Sequence, residues 1–519
     1  MNSIDFFDHG WRLDPQAPCL IDAHTGNAFS YAQVRRETLL AANALRRDGF
    51  SVGDRGAVLS YNDCRGYTAV LSILRAGLTW IPVNPRNAVN DNAQILERFD
   101  CDVLFFQRQF EDALPEIELL APRISRFVCI DDVAAGKPSW DAWVAGAGDE
   151  EVETPHDPER AFVIQPTGGT TGFPKGVVLS NRALENIVAS FTAVAPCRSR
   201  PIFLAAAPLT HAAGQVFQYL LAHGGTGVVF PKVDRAALLD AIPRYGVTHA
   251  FLPPTVIYDL LAAPDVRERD YSALQYFFYG ASPMAPGKLA EALDVFGPVM
   301  CQIYGQTESG VPNTFLSSAD HFVDGRIADA SRLASCGRVS PFCRVAIMGP
   351  DGQLLADGEV GELVVRGTGV MSGYYRDAEA TAAVSAHGWH HTGDVGYRDP
   401  QGYFHIVDRM KDVIISGGFN IYSSEVERAI LAHPAVQDCA VLGTPDPKWG
   451  ERVSAVVQIK EGMSLDAATL IAHCKAQIGS MKAPKLVEFV EALPRSPAGK
   501  ILKRELRQRY WQGQTRMVS

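Results

Sequence analysis

The sequence predicts an α/β protein: a large N-terminal domain of several subdomains, with mostly parallel sheets and an antiparallel β subdomain, followed by a small α+β domain. Three observations carry that prediction. Between residues 160 and 307, continuous apolar runs alternate with helical patterns, the order that buries a parallel sheet under helices on both faces. From Cys336 the runs shorten and are split by Pro-Asp-Gly and Asp-Gly turns, as in antiparallel hairpins. After Asp408 a tail of about 110 residues carries strands and helices of its own, enough to hold a separate core.

In chain order, a first and weaker alternation spans 55–129, with strands expected near 56–60, 79–83 and 103–106. The main series of strands follows at 161–165, 201–206, 227–230, 248–252, 274–279 and 299–303, separated by helices that include 183–193, 236–244 and 287–296. The hairpin region supplies short strands at 345–348, 353–355, 361–366 and 403–407. The tail opens with a hairpin about Gly417-Gly418, then a helix at 424–433, strands at 436–442 and 454–459, and a helix at 467–479. The boundary at 408–412 has no Pro or Ser run, so it reads as a short pivot rather than a long linker. It divides the chain into 1–408, a hinge at 409–411, and 412–519.

Composition removes several classes. At 519 residues the chain suits roughly three packed units. With 47% hydrophobic and 20% charged residues it is not disordered. A net charge of −10 gives no reason to expect a nucleic-acid partner. The ten cysteines include no CxxC pair, which argues for reduced thiols against both a zinc site and a disulfide framework. The first residues lack the basic and apolar regions of a signal peptide, and no stretch reaches 18 uncharged apolar residues. A cytoplasmic protein with no membrane span is expected.

Five motifs carry chemistry. The first, Thr167-Gly168-Gly169-Thr170-Thr171-Gly172-Phe173-Pro174-Lys175, follows a predicted strand. Glycines let main-chain N–H groups approach phosphate oxygens, threonines add hydroxyl donors, and Lys175 adds a movable cation. It is not a Walker A loop, because Gly176 stands where Ser or Thr is required. The second, Tyr304-Gly305-Gln306-Thr307-Glu308, follows the strand at 299–303, at the sheet end where open α/β sheets bind ligands. Glu308 is a hard oxygen ligand suited to Mg²⁺ on a nucleotide, Tyr304 offers a face to a purine and Thr307 a hydroxyl to a phosphate. Gly280-Ala281-Ser282 ends a strand on the same rim and leaves room for a flat ring.

In the third motif, Trp389-His390-His391-Thr392-Gly393-Asp394, the carboxylate of Asp394 could accept both hydroxyls of a ribose. The two histidines alternate faces on a strand, which argues against a shared metal ion. The fourth is Asp408-Arg409-Met410-Lys411-Asp412, followed by Ser416-Gly417-Gly418-Phe419-Asn420. The fifth, Pro494-Arg495-Ser496-Pro497-Ala498-Gly499-Lys500, presents Lys500 at the tip of a stiffened loop. Taken singly, each also reads as a solvated loop or turn.

Taken together and in this order, the five motifs resemble those of the adenylate-forming superfamily: acyl-CoA synthetases, peptide-synthetase adenylation domains and beetle luciferases. The resemblance covers residues 20–508, and Gly169 stands where Ser is more usual. It implies a large N-terminal domain with a small mobile C-terminal one, and a carboxylic acid–CoA ligase that uses ATP, Mg²⁺ and coenzyme A. On this reading Thr167, Gly168, Gly169, Thr170, Thr171, Gly172 and Lys175 hold the β and γ phosphates. Tyr304, Gly305, Gln306, Thr307 and the segment Gly280, Ala281, Ser282 surround the adenine and α-phosphate. Glu308 holds Mg²⁺, Asp394 the ribose, and Arg409 also meets the nucleotide. Lys500, with Thr307 and Glu308, is catalytic; Lys411 is the hinge residue; Ser416, Gly417 and Gly418 line the coenzyme A path. His211, Gly280 and Gly305 border the acyl pocket.

The acid is less specified. No Asp or Glu occurs between 202 and 231, where peptide-synthetase domains usually pair the ammonium of an amino acid. The small residues Ala205, Ala206, Ala207, Ala212 and Ala213 leave room for an aryl, alicyclic or medium- to long-chain fatty acid. An enzyme that loads an acyl carrier protein is the alternative. A non-catalytic nucleotide sensor finds no support while Lys500, Glu308 and Asp394 are all present. A homodimer stays open.

Overall fold

The computed structural model describes residues 1–131, 136–167, 174–210, 212–495 and 501–511. The chain divides into two compact units. The first takes in Met1–Val345, Val364–His390 and Gln401–Phe404; the second takes in Ala346–Leu363, His391–Pro400 and His405–Ser519.

Among the described residues of the first unit, a nine-stranded sheet runs through Tyr276–Gly280, His249–Leu252, Ile202–Ala205, Thr226–Val229 and Pro18–Asp22 as neighbouring parallel strands, with Met300–Gln306 parallel to Tyr276–Gly280. These strands are nearly all-buried Phe, Tyr, Val and Leu because helices cover the sheet. Helix Asn181–Val194 starts at Ser180, whose hydroxyl accepts from the Ala183 N–H. Helix Arg235–Tyr245 is capped by Asp234 and stopped by Gly246 in the left-handed region. Phe191, Phe203, Phe217 and Tyr279 are fully buried, each adding roughly 1.5–3 kcal/mol of apolar burial. A seven-stranded sheet holds Thr79–Pro82, Arg55–Leu59, Val103–Phe106 and Arg126–Cys129 in parallel.

Two departures from the expected pattern shape the site. The strand after the first motif, Lys175–Ser180, turns back antiparallel on Ala161–Thr167. The strand carrying the second motif extends to Gln306 and is followed by its antiparallel partner Gly310–Leu316. The second motif therefore sits at a hairpin tip rather than in a crossover loop, and the described ends of the first, Thr167 and Lys175, pair across a hairpin. The expected strand at 353–355 does not form: a turn at Gly352, with its positive φ, leaves the single bridge Met348 to Leu354, and the Leu354 side chain is exposed.

The second unit packs its own core around strands Val436–Asp446 and Gly450–Ile459. Ile414, Val426, Ile430, Val441, Val453, Val457 and Leu470 fill one side. Ala440, Leu442, Val456, Leu493 and Leu506 fill the other, so the run 439–442 is apolar on both faces. Strand Leu486–Val490 pairs in parallel with Gly450–Ile459. Among the described residues, no helix is long and apolar enough to cross a membrane.

Candidate active site

In the first unit, Thr167 and Lys175 form the last pair of their hairpin, and the Thr167 hydroxyl donates to the Lys175 carbonyl at 3.4 Å. Gly168, Gly169, Thr170, Thr171 and Gly172 lie outside the described residues. The Lys175 ammonium rests 4.7 Å from the centroid of the Tyr374 ring. The Tyr374 hydroxyl in turn donates to Glu308 Oε1 at 3.2 Å. A cation of the first motif and a carboxylate of the second thus meet on one aromatic side chain. Burial, then the Glu308 charge, push the Tyr374 hydroxyl above its ordinary value, which keeps it a proton donor.

Glu308 is placed by the main chain. Gln306 pairs with Gly310, leaving Thr307, Glu308 and Ser309 as a three-residue turn. Gly310 takes the left-handed φ of +78° that such a turn requires. The Ser309 hydroxyl accepts from the Gln306 N–H at 3.2 Å, and the Glu308 carbonyl accepts from the Met371 N–H at 2.9 Å. A register shift between Tyr304 and Gln306 bends the strand just before the turn. Tyr304 is buried at 9% exposure, leaving little of its surface open.

The glycines of this rim answer first to the sheet. A side chain at Gly280 would bring Cβ within 2.5 Å of the Ile303 carbonyl oxygen, and one at Gly305 within 2.5 Å of the Gly310 carbonyl oxygen. Strand packing therefore demands glycine at both positions, whatever lies beside them. Ala281 follows with φ of +65°, a conformation costly for any residue with a Cβ, and Ser282 is half-buried. His211 lies outside the described residues. The segment before it is held by Asn62, which donates to the Ala205 and Ala207 carbonyls at 3.3 and 3.0 Å and accepts from the Leu209 N–H at 3.0 Å.

In the second unit, Asp394 is 2% exposed and its Oδ1 lies 2.6 Å from Arg409 Nε. Glu362 braces the turn before it, accepting from the Gly393 N–H at 2.8 Å while its other oxygen pairs with His391 Nδ1 at 2.7 Å. Glu362 belongs to no motif, and its contact crosses between strands, so spacing gave no signal for it. The next corner is ionic. Lys503 pairs with Glu427 at 2.7 Å and donates to the Ser423 hydroxyl at 2.9 Å; Arg507 pairs with Asp412 at 2.7 Å. Burial pulls the Lys411 ammonium below its ordinary value, with Asp412 opposing.

Ser416 pairs with Phe419, so Gly417 and Gly418 form a two-residue turn with φ of +59° and +83°. The Trp449 ring lies where a side chain at Gly417 would go, 2.6 Å from that Cβ. Lys500 lies outside the described residues, but its loop has paired stems: Arg495 bridges Ile501, and the Leu502 N–H donates to the Pro494 carbonyl at 2.8 Å. Helix Lys503–Tyr510 begins directly after it.

Among the described residues no cluster of three or more His, Cys, Asp or Glu could cage a metal ion. Glu308 offers a single hard carboxylate, oriented by a neutral donor. That donor set fits Mg²⁺ bound jointly by one carboxylate, phosphate oxygens and water.

The family model described as AMP-binding enzyme matches residues 7–375, and that of the AMP-binding enzyme C-terminal domain matches 425–500. The chain is 39% identical to a medium/long-chain-fatty-acid–CoA ligase, FadD8, of Mycobacterium tuberculosis over 368 residues, 70% of this chain and 63% of that protein's length. It is 36% identical over 501 residues to a feruloyl-CoA synthase of an Amycolatopsis species, covering 96% of this chain and 97% of the other. The structure of the amide bond synthetase McbA from Marinactinospora thermotolerans superposes with a TM-score of 0.87 at 31% identity, covering 98% of this chain and all of that one.

Proposed function

The chain belongs to the family of AMP-binding enzymes, and from that premise we propose that it is an acid–CoA ligase acting in two steps. A carboxylate oxygen attacks the α-phosphorus of ATP, forming an acyl-adenylate and expelling pyrophosphate. The sulfur of coenzyme A then attacks the acyl carbonyl, forming a thioester and releasing AMP. The observation that carries this reading is the meeting of Lys175 and Glu308 on Tyr374, a cation and a hard carboxylate side by side at two strand ends.

In-line attack at phosphorus needs fixed positive charge where negative charge gathers. Lys175 and the main chain of 167–172 hold the β and γ phosphates, while Tyr304 and Gly280 to Ser282 take the adenine. Gly305, Gln306 and Thr307 line the path of the α-phosphate. Bound with the nucleotide, Mg²⁺ supplies charge neutralisation at the phosphate oxygens, and Glu308 is the residue that would hold it. Asp394 and Arg409 receive the ribose. Lys500 steadies the carboxylate and the α-phosphate during the first step. With 1–408 and 412–519 as the two domains, a turn about Lys411 withdraws Lys500 for the second step and brings Ser416, Gly417 and Gly418 to the pantetheine arm, a hinge switch. The enzyme works in the cytoplasm, where its ten free thiols stay reduced.

The acid is bulky. Buried Ala205, Ala206 and Ala207 crowd the segment before His211 less than larger side chains would, and the acids named for two relatives, a fatty acid and ferulate, are both large. A panel running from acetate and malonate through benzoates and cyclohexane carboxylates to C6–C16 fatty acids, assayed for AMP release with and without coenzyme A, tests the proposal. Turnover of a bulky acid that depends on free coenzyme A is expected. Pyrophosphate exchange without coenzyme A consumption would instead assign the acyl group to a carrier protein.

A further inference from the structure

We infer that Tyr374 is a positioning residue for the phosphate side of the site: its hydroxyl orients the Glu308 carboxylate for a divalent cation, and its ring seats the Lys175 ammonium. The inference rests on the proposed function of Glu308 and Lys175 and adds a residue that none of the five motifs contains.

The segment around Tyr374 is stitched to both groups through its main chain. Gly373 and Tyr374 pair antiparallel with Val178 and Val177, on the strand that begins at Lys175. The Ser372 N–H donates to the Val178 carbonyl at 2.9 Å and the Tyr375 N–H to the Gly176 carbonyl at 2.7 Å. One residue earlier, the Met371 N–H donates to the Glu308 carbonyl at 2.9 Å. The Tyr374 N–H is itself held by the Thr381 hydroxyl at 2.9 Å. The next tyrosine faces elsewhere, with the Tyr375 hydroxyl on Asp100 Oδ2 at 2.6 Å, so only Tyr374 of the pair serves Glu308.

The choice of a phenol has a physical reason. A lysine or arginine on Glu308 would neutralise the charge a cation needs, whereas a neutral O–H fixes one carboxylate oxygen and leaves the full negative charge for the metal. Partners behind a metal ligand orient it in this way, and their loss typically costs 10–100-fold in metal affinity. The ring face attracts the Lys175 ammonium, which pairs with no carboxylate among the described residues, so phosphate oxygens meet a cation already in place.

The test uses the full chain with a non-hydrolysable ATP analogue carrying an α,β-methylene bridge and Mn²⁺ as the metal, whose free concentration is read by electron paramagnetic resonance. Thermal melts confirm that Tyr374→Phe, Tyr374→Leu and Glu308→Gln are folded. Tyr374→Phe keeps the ring and loses the hydroxyl. It should weaken Mn²⁺ in the nucleotide complex about tenfold while leaving analogue affinity at saturating metal within about twofold. Tyr374→Leu should add a further loss of about threefold in analogue affinity, as Lys175 loses its seat. Unchanged Mn²⁺ affinity in Tyr374→Phe, with Glu308→Gln weakened, overturns the inference and leaves the reading of Glu308 intact. Unchanged Mn²⁺ affinity in Glu308→Gln overturns both. Equal analogue affinity in Tyr374→Phe and Tyr374→Leu overturns the role given to the ring.

Discussion

The two units hold their candidate groups by different means. In the first, Thr167, Lys175, Gly280 and Glu308 sit at strand ends, fixed by hairpin register, main-chain hydrogen bonds and backbone contacts too close for any Cβ. In the second, the segment 408–412, helix Ser423–Leu431 and the helix that follows the Lys500 loop are tied together by polar contacts: Lys503 to Glu427, Arg507 to Asp412, and the buried Asp408 accepting from Ser423. A scaffold built from main chain tolerates changes of solvent and salt but not of shape. An ionic corner tolerates changes of shape but not the loss of a partner, because the charge left behind is buried. That contrast is what the proposed mechanism calls for: fixed groups on the proposed phosphate side and a segment at 408–412 proposed to turn.

The sharpest way to break the contrast is Lys503→Met. It removes the cation paired with Glu427 and leaves that carboxylate desolvated. The expected cost is about 3–5 kcal/mol, read by urea unfolding and by faster hydrogen exchange in peptides covering 436–446. A loss below about 1 kcal/mol would mean that the corner is held by its apolar face after all.

Next in size is Lys500→Ala. Deleting one donor at a developing charge should slow acyl-adenylate formation by roughly 10²–10³-fold, about 2.7–4 kcal/mol. Thioester formation from preformed adenylate should be nearly spared. Rapid-quench measurement of both half-reactions checks this, and equal losses would remove the reason for proposing two working positions of Lys500.

Many element positions were legible because a buried parallel strand leaves a strong apolar signature: strand Val103–Phe106 and helix Asn181–Val194 fall where the pattern puts them. The hairpin partners Lys175–Ser180 and Gly310–Leu316 were missed. Both flank motifs rich in Gly, Thr and Ser, where local composition reads as loop while the pairing that makes a strand lies across the sheet. At the site, the motif residues were visible from their own chemistry. Tyr374 and Glu362 were not, since each acts through a contact between segments far apart in the chain. The glycines at 280 and 305 misdirect in the opposite sense: they look like room for a ligand, and the sheet requires them regardless.

The smallest of these effects separates the units by pH. Burial holds two histidines of the first unit, His249 and His321, well below their ordinary value. His321 accepts the Tyr279 hydroxyl at Nε2 while Nδ1 lies 2.7 Å from the Ser317 carbonyl; burial lowers it to about 4 against the pull of that carbonyl and of Asp320. His249 lies among Tyr219, Tyr276 and Phe278 with the Thr248 hydroxyl on Nδ1; burial, helped by His223, lowers it to about 3. Below the unfolded value of 6.5 the unfolded chain binds protons that the folded unit refuses, so stability falls with pH from there down to about 4. Between pH 7 and 5 the loss is about 2 kcal/mol per histidine. In the second unit the sign reverses for Glu427 and Asp408, which burial holds above their ordinary values, so acid adds protons to the folded form first. Hydrogen exchange at the two pH values, corrected for intrinsic rates, should therefore show peptides over 249–252 and 276–280 losing protection while those over 436–446 keep theirs. Loss confined to 436–446 would mean that charge, not buried neutral rings, sets the acid limit of this protein, and the contrast between the units would have to be drawn the other way.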